Sequence, residues 1–157
     1  MAAAERIDLF PESVQAAPLV IFIYGGYWCS QRKEDACSMA ASFTRHGVAV
    51  YPAPVATVAE IVHEVRSAVA WLYFHGEPFG IDPARIFIIG SSAGAHLCSS
   101  LVSEGWHNRY RLPEDAIKGV LAMSGIYDFR LLCDIFSNEL LHLSLEQAKV
   151  SALFFFA

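Results

Sequence analysis

No stretch of this sequence holds the roughly eighteen uninterrupted apolar residues that a membrane-spanning helix requires. That absence matters because hydrophobic residues make up 55% of the chain and mean hydropathy is +0.39. The apolar excess is read as buried strands, and no membrane partner is expected. Basic clusters are missing too: 11 Lys and Arg stand against 16 Asp and Glu, a formal charge of −5, which gives no support for nucleic-acid binding. Neither G-x-G-x-x-G nor a P-loop occurs, which argues against a nucleotide-binding module. The four cysteines, Cys29, Cys37, Cys98 and Cys133, form no C-x-x-C pair and read as unpaired thiols of a cytosolic protein. The first residues carry charge at Glu5, Arg6 and Asp8, where a secretory signal would place its apolar segment, so a cytoplasmic location is expected. Internal repeats and low-complexity tracts are also lacking.

What the chain does have is a strong organising stretch. In Ile86–Leu97, four β-favouring residues run into Gly90-Ser91-Ser92-Ala93-Gly94, and a helical pattern follows at once. This is G-x-S-x-G in the strand–turn–helix context that a nucleophilic serine needs. A serine on so sharp a turn requires neighbours without bulk, which Gly90, Ala93 and Gly94 supply. The turn presents the Ser92 hydroxyl at the positive end of the next helix, where developing negative charge is favoured.

With 157 residues the chain is one domain. Residues 1–17 show no periodicity and read as a loosely ordered N-terminal arm, with the α/β domain over 18–157. Leu19–Tyr24 is a continuous apolar run, a strand buried on both faces, ending in Gly25-Gly26-Tyr27-Trp28. Ala36, Met39, Ala40 and Phe43 share a helical face, and Val48–Tyr51 is a second strand. Thr57 and Glu60 make a capping box for the clearest helix, whose apolar face is Val58, Ile61, Val62, Val65, Val69 and Leu72. Gly80–Pro83 reads as the turn into the central strand at Ile86. The helix after Ser92 runs to about Glu104, Trp106–Glu114 is a loop, and Gly119–Met123 is a fourth strand. Two short helices follow, the second capped by Ser144 and Gln147. Strands alternating with helices at this spacing imply an α/β fold with a doubly wound, mainly parallel sheet of about four strands. In such sheets the site lies beyond the strands' carboxyl ends, where Gly25-Gly26 and Ser92 would meet if their strands are neighbours.

Acyl transfer from a serine needs a hydroxyl, a base and donors for the oxyanion. Ser92 is the candidate hydroxyl. The backbone N–H of Ala93 and those of Gly25 and Gly26 are the candidate donors. Tyr27 and Trp28 are candidates to line a pocket for an aromatic substrate. Asp128 follows the fourth strand at the correct end of the sheet for an acid, although a helix N-cap ahead of Phe129–Leu132 is the plainer reading. His96 lies one helical turn beyond Ser92 and is expected to pack beside the sheet. His46, His63, His75, His107 and His142 carry no sequence signature of a base.

At these residues the chain resembles a known family. Tyr24-Gly25-Gly26-Tyr27-Trp28 resembles the H-G-G-x-W oxyanion loop of the α/β-hydrolase superfamily, and Gly90–Leu97 resembles its nucleophile elbow. Ala68–Leu72, Ile117–Val120, Met123–Asp128 and the Asn138–Leu145 region leading to Ser151 are similar to the kynurenine formamidase (arylformamidase) branch. The resemblance covers roughly residues 18–152. It implies hydrolysis of N-formylkynurenine to kynurenine and formate in tryptophan breakdown, through a serine acyl-enzyme, with no cofactor and no metal. The substrate expected is a small aromatic formamide or ester.

Three departures qualify that expectation. Tyr24 stands where the family has histidine, and the Pro52–Thr57 loop is shorter than usual. The family's catalytic aspartate and histidine follow two further strands, and this chain ends before either. The sequence therefore reads as a C-terminally truncated form, with four strands in the spatial order second-first-third-fourth and without the superfamily's flanking strands. Weak or absent activity is expected, since an oxyanion hole and substrate binding alone leave about 10³–10⁴-fold over water. A bare fourth strand would also invite self-association through the sheet edge. Two other readings stand beside the formamidase: a non-catalytic remnant that binds a small molecule or another chain, and a carboxylesterase of the same fold.

Overall fold

Apolar runs bounded by glycine and proline become the strands of one sheet. In a computed structural model the described residues are 7–10, 16–28, 47–50, 57–134, 138–141 and 143–153. Strands β1 (Ile7–Phe10), β2 (Ala17–Ile23), β3 (Gly47–Val50), β4 (Ile81–Ser91) and β5 (Ile117–Met123) lie in the order β1-β3-β2-β4-β5. The last four are parallel, in the spatial order expected from the sequence. The segment around Ala36–Phe43 lies outside the described residues, as do Cys29, Cys37, His46 and His142.

The arm expected over residues 1–17 holds a strand. β1 pairs antiparallel with β3, Ile7 opposite Val50 and Phe10 opposite Gly47. The sheet therefore has a flanking strand on its β3 side, where none was expected. Ile-Asp-Leu-Phe does not alternate strictly, since Leu9 and Phe10 are both apolar, which is why no period of two marked it. β4 also starts earlier than its apolar run. Ile81 pairs with Ala17 and Ile86 with Leu19, so residues 82–85 bulge from the ladder. The Asp82 carboxylate closes that bulge, accepting from Ala84 N at 2.9 Å and Arg85 Nε at 2.7 Å.

Helix α1 (Val58–His75) opens as its capping box requires, with Glu60 N donating to Thr57 Oγ1 at 3.3 Å and Thr57 N to the Glu60 carboxylate at 2.7 Å. Its six expected core residues are all buried. Burying each such aliphatic side chain is worth about 1.5–3 kcal/mol, and the six together far exceed the roughly 0.5–2 kcal/mol of a cap, so the face rather than the box fixes where the helix packs. Helix α2 (Ala93–Val102) follows the serine turn. The two helices touch each other and both pack on β4, covering the sheet face formed by Leu19, Ile21, Ile23, Ile86 and Ile88, all buried. Arg66 of α1 ties them together, donating to Ser100 O at 2.7 Å and Ser103 Oγ at 2.9 Å while its guanidinium lies over the Trp106 ring.

Trp106–Tyr110, expected as loop, forms a short helix α3. Trp106 anchors it by burying its ring and donating Nε1 to Leu101 O at 2.9 Å, a tertiary contact that no local periodicity announces. After β5 come a 3₁₀ turn (Arg130–Asp134), α4 (Asn138–Leu141) and α5 (Leu145–Leu153). The Ser144–Gln147 box caps α5 as expected. Among the described residues, no helix is long and apolar enough to cross a membrane.

Candidate active site

Ser92 sits where the Gly90–Gly94 pattern puts it, at the turn between β4 and α2, and it is not helical. Its φ of 56° and ψ of −119° are a conformation that non-glycine residues rarely adopt and that costs on the order of 1–3 kcal/mol. The surroundings hold it there. Its backbone N–H donates to Met123 O at 2.8 Å, and its carbonyl accepts from Ala95 N and His96 N.

The glycines are dictated by close approach. A methyl group on Gly94 would stand 2.0 Å from the Ile23 carbonyl oxygen and 2.6 Å from that of Tyr24. One on Gly90 would meet Cys98 Sγ and the Gly94 carbonyl, each at 2.4 Å. The start of α2 is thus pressed onto the end of β2, which brings the two loops together. Gly25 completes the meeting: a methyl there would lie 2.9 Å from Ser92 Cβ and 3.6 Å from its hydroxyl oxygen. The glycine corner and the serine turn adjoin. Ala93 is buried at the first position of α2, where backbone N–H groups have no partner within the helix.

The corner itself is left-handed over three consecutive residues, Gly26 (φ 98°), Tyr27 (φ 50°) and Trp28 (φ 61°). Its two aromatic residues part company. Tyr27 is 39% exposed, whereas Trp28 is 5% exposed, with its indole N–H unpartnered among the described residues. Trp28 packs edge-on against His96 (ring centroids 5.5 Å apart) and at a tilt against Phe129 (5.1 Å), and His96 in turn meets Phe129 edge-on at 4.6 Å. This layer beneath the site joins the glycine corner, α2 and the segment after β5. Sequence reasoning did not single out Phe129 or the Met123 carbonyl. Phe129 is one apolar residue in a loop, and a backbone acceptor leaves no mark in a sequence.

The other titratable candidates are engaged elsewhere. Asp128 is exposed, and its carboxylate accepts from Arg130 Nε at 2.8 Å, Arg130 Nη2 at 2.5 Å and Arg130 N at 3.0 Å. These bonds hold its pKa at about 2. It therefore fits a turn-capping role at the head of the 3₁₀ segment. Burial pushes His96 down to about 4 and the Cys98 thiol up to about 12, so both stay neutral near pH 7. His63 Nδ1 lies 3.2 Å from both Ser67 Oγ and Tyr110 Oη. His75 Nδ1 lies 3.0 Å from Trp71 O, and the His107 ring packs on Trp106. The structure brings Ser92, Gly25 and Ala93 together and does not give Ser92 a carboxylate–imidazole pair among these groups. No cluster of three His, Cys, Asp or Glu among the described residues could hold a metal ion.

A serine on a strained strand–turn–helix elbow, on a parallel sheet and beside a glycine corner, is the arrangement of an α/β-hydrolase. The BD-FAE family model matches residues 7–147, and the chain belongs to that family. It is similar to kynurenine formamidases of Salmo salar (32% identity, 92% of this chain and 49% of the relative) and Danio rerio (30%, 94% and 50%). It also matches a probable isoprenylcysteine alpha-carbonyl methylesterase of Arabidopsis thaliana at 26% identity, over 89% of this chain and 36% of the relative. The chain spans about half the length of the formamidases it matches. In fold it is similar to a thermostable carboxylesterase cloned from a metagenomic library, with a TM-score of 0.65 at 23% identity over 76% of this chain and 41% of that one. Thermogutta terrifontis esterase 2 gives a TM-score of 0.64 at 18% identity, over 94% and 66%.

Proposed function

We propose that the chain carries the nucleophile and oxyanion half of a serine hydrolase of formamidase type, with N-formylkynurenine as the substrate to test first. In this reading Ser92 Oγ attacks the formyl carbonyl. The N–H groups of Ala93 and of the Gly25–Gly26 corner receive the oxyanion, the amine leaves, and water releases formate from the acyl-serine. In the same reading Tyr27, exposed at the corner, meets the aromatic part of the substrate. The observation that carries the proposal is the contact between the two corners, with Gly25 against the strained Ser92. Formamidase relatives at about 30% identity favour a formamide, and the methylesterase relative supports an ester as the second reading.

A fluorophosphonate probe tests the nucleophile directly. Labelling should map to Ser92 and vanish in Ser92→Ala. Parallel assays with N-formylkynurenine and a p-nitrophenyl ester separate the two substrate classes. Silence of a folded chain towards the probe would instead favour a non-catalytic binding protein.

A further inference from the structure

The glycine corner stands beyond the strand that delivers it. The last ladder pair of β2 is Ile23 with Gly90, so residues 24–28 lie past the ladder. Their backbone takes a left-handed path at Gly26, Tyr27 and Trp28, a region unfavourable for the two that are not glycine. Towards the serine the corner is stopped by contact, since a methyl on Gly25 would lie 2.9 Å from both Ser91 O and Ser92 Cβ. At its far end the hold is Trp28. That side chain is buried and its indole N–H has no partner among the described residues, so packing rather than a hydrogen bond keeps it in place.

Phe129 supplies that packing. It is fully buried and, among the described residues, the largest side chain that is. Its ring centroid lies 5.1 Å from that of Trp28 and 4.6 Å from that of His96. Its carbonyl accepts from Leu132 N at 3.0 Å, which fixes its backbone ahead of the 3₁₀ turn. The segment that carries it starts from Met123, whose carbonyl accepts from Ser92 N at 2.8 Å. Between the two the chain folds tightly, with Ser124 left-handed (φ 52°) and the Tyr127 ring 2.2 Å from where a methyl on Gly125 would stand. One short segment thus grips the serine turn at one end and the glycine corner at the other.

We propose that Phe129 is a positioning residue: wedged against Trp28, it sets where the N–H groups of Gly25 and Gly26 stand relative to Ser92. This rests on the reading of Ser92 as a nucleophile given above. The Ala93 N–H is fixed separately, by helix α2, so loss of Phe129 moves one set of oxyanion donors and spares the other. Placement matters because such donors act at about 2.7–3.1 Å from the oxyanion, and a misplacement of about 1 Å costs on the order of 10²-fold.

Two readouts test the proposal, and the first needs no chemistry. Amide hydrogen exchange is followed by NMR in the unaltered chain, Phe129→Ala, Phe129→Leu and Leu72→Ala. Leu72 is equally buried but lies near Ile81 at the start of β4, the far end of that strand from Ser92. In Phe129→Ala the Gly25 and Gly26 amides should exchange at least about tenfold faster by local opening, while Ala93 keeps its rate. Phe129→Leu keeps most of the bulk and folds where alanine does not; it should show the same pattern at smaller size. Leu72→Ala should lose stability and leave all three amides unchanged. The second readout is the fluorophosphonate reaction at Ser92, which should slow about 10–100-fold in Phe129→Ala through kinact, with KI unchanged, and by less in Phe129→Leu. In a Trp28→Leu background Phe129→Leu should add nothing further, because its effect travels through the indole. Unchanged exchange at Gly25 and Gly26 in the Phe129 variants would overturn the proposal, as would an unchanged labelling rate or an equal response to Leu72→Ala. A chain whose Ser92 never labels would sink the functional reading instead, and the exchange rates would still decide whether Phe129 holds the corner.

Discussion

The backbone N–H of Ser92 donates to the carbonyl oxygen of Met123 at 2.8 Å. The last residue of β5 thus holds the turn on which the candidate nucleophile stands. That bond, with the closed contacts at Gly25 and Gly94, keeps Ser92 at φ 56° and ψ −119° against a conformational cost of about 1–3 kcal/mol. The strain makes stability and chemistry separable. Ser92→Gly should raise stability, by up to about 2.5 kcal/mol, once glycine's greater freedom in the unfolded chain, roughly 0.4–1 kcal/mol, is subtracted. Ser92→Ala keeps the side-chain penalty and should melt near the unaltered chain. Both should lose probe labelling. Thermal unfolding of the three proteins checks this, and equal melting temperatures for the glycine and alanine variants would mean that the turn is not strained.

At Gly94 two effects point in opposite directions, and their sizes decide. Alanine inside a helix is favoured over glycine by about 1 kcal/mol. Here, however, its methyl would sit 2.0 Å from the Ile23 carbonyl oxygen, and a backbone atom cannot swing aside as a side chain can. Overpacking of that kind costs typically 1–3 kcal/mol and sometimes more. Gly94→Ala should therefore destabilise in denaturant unfolding, and it should slow labelling of Ser92 by moving α2 away from β2. Gly105→Ala makes the contrast. It has open space around it, and only its φ of +83° stands against the substitution, so it should lose about 1 kcal/mol and leave labelling unchanged.

What the sequence disclosed and what it withheld follow from the range of the forces involved. Both capping boxes and the apolar face of α1 are local or periodic features and were legible, and the order of the four parallel strands followed from the alternation of strands with helices. Gly25 and Ser92 could be paired because their strand-end positions follow from an α/β sheet. β1 could not be read, because its pairing with β3 rests on tertiary contact over four residues. Nor could α3, whose anchor is the Trp106 indole reaching Leu101. Trp28 shows the difference most clearly within the site. Its type suggested a pocket wall, but its burial against His96 and Phe129 is set by residues about 70 and 100 positions away.

Asp128 discriminates between a chemical and a structural carboxylate. Its three hydrogen bonds from Arg130 leave it ionised, exposed and bound to its own turn. Asp128→Asn keeps an acceptor for the Arg130 backbone and loses only the ion pair, which at an exposed position contributes little. Labelling of Ser92 should be unchanged in this variant, at every pH where the chain is folded. A large drop in the labelling rate would instead place Asp128 in the machinery that activates the serine.

His96 gives the chain a specific acid sensitivity. The ring is fully buried against Trp28 and Phe129, neither of which titrates, and burial lowers its pKa to about 4 from the ordinary value near 6.5. Between these two values the unfolded chain binds a proton that the native chain refuses. The stability contributed by keeping the ring neutral is therefore fully present above about pH 6.5 and is lost as the pH falls towards 4. At about 1.4 kcal/mol per unit, the loss between pH 7 and pH 5 comes to about 2 kcal/mol. His96→Phe, which keeps an aromatic ring in the cluster, should lose about that much less over the same interval. Burial also lowers His107, but His107 is present in both proteins and cancels in the comparison. Urea unfolding of the two chains at pH 7 and pH 5 measures the difference. Parallel pH dependences would show that the imidazole takes up its proton as readily in the native chain as in the unfolded one.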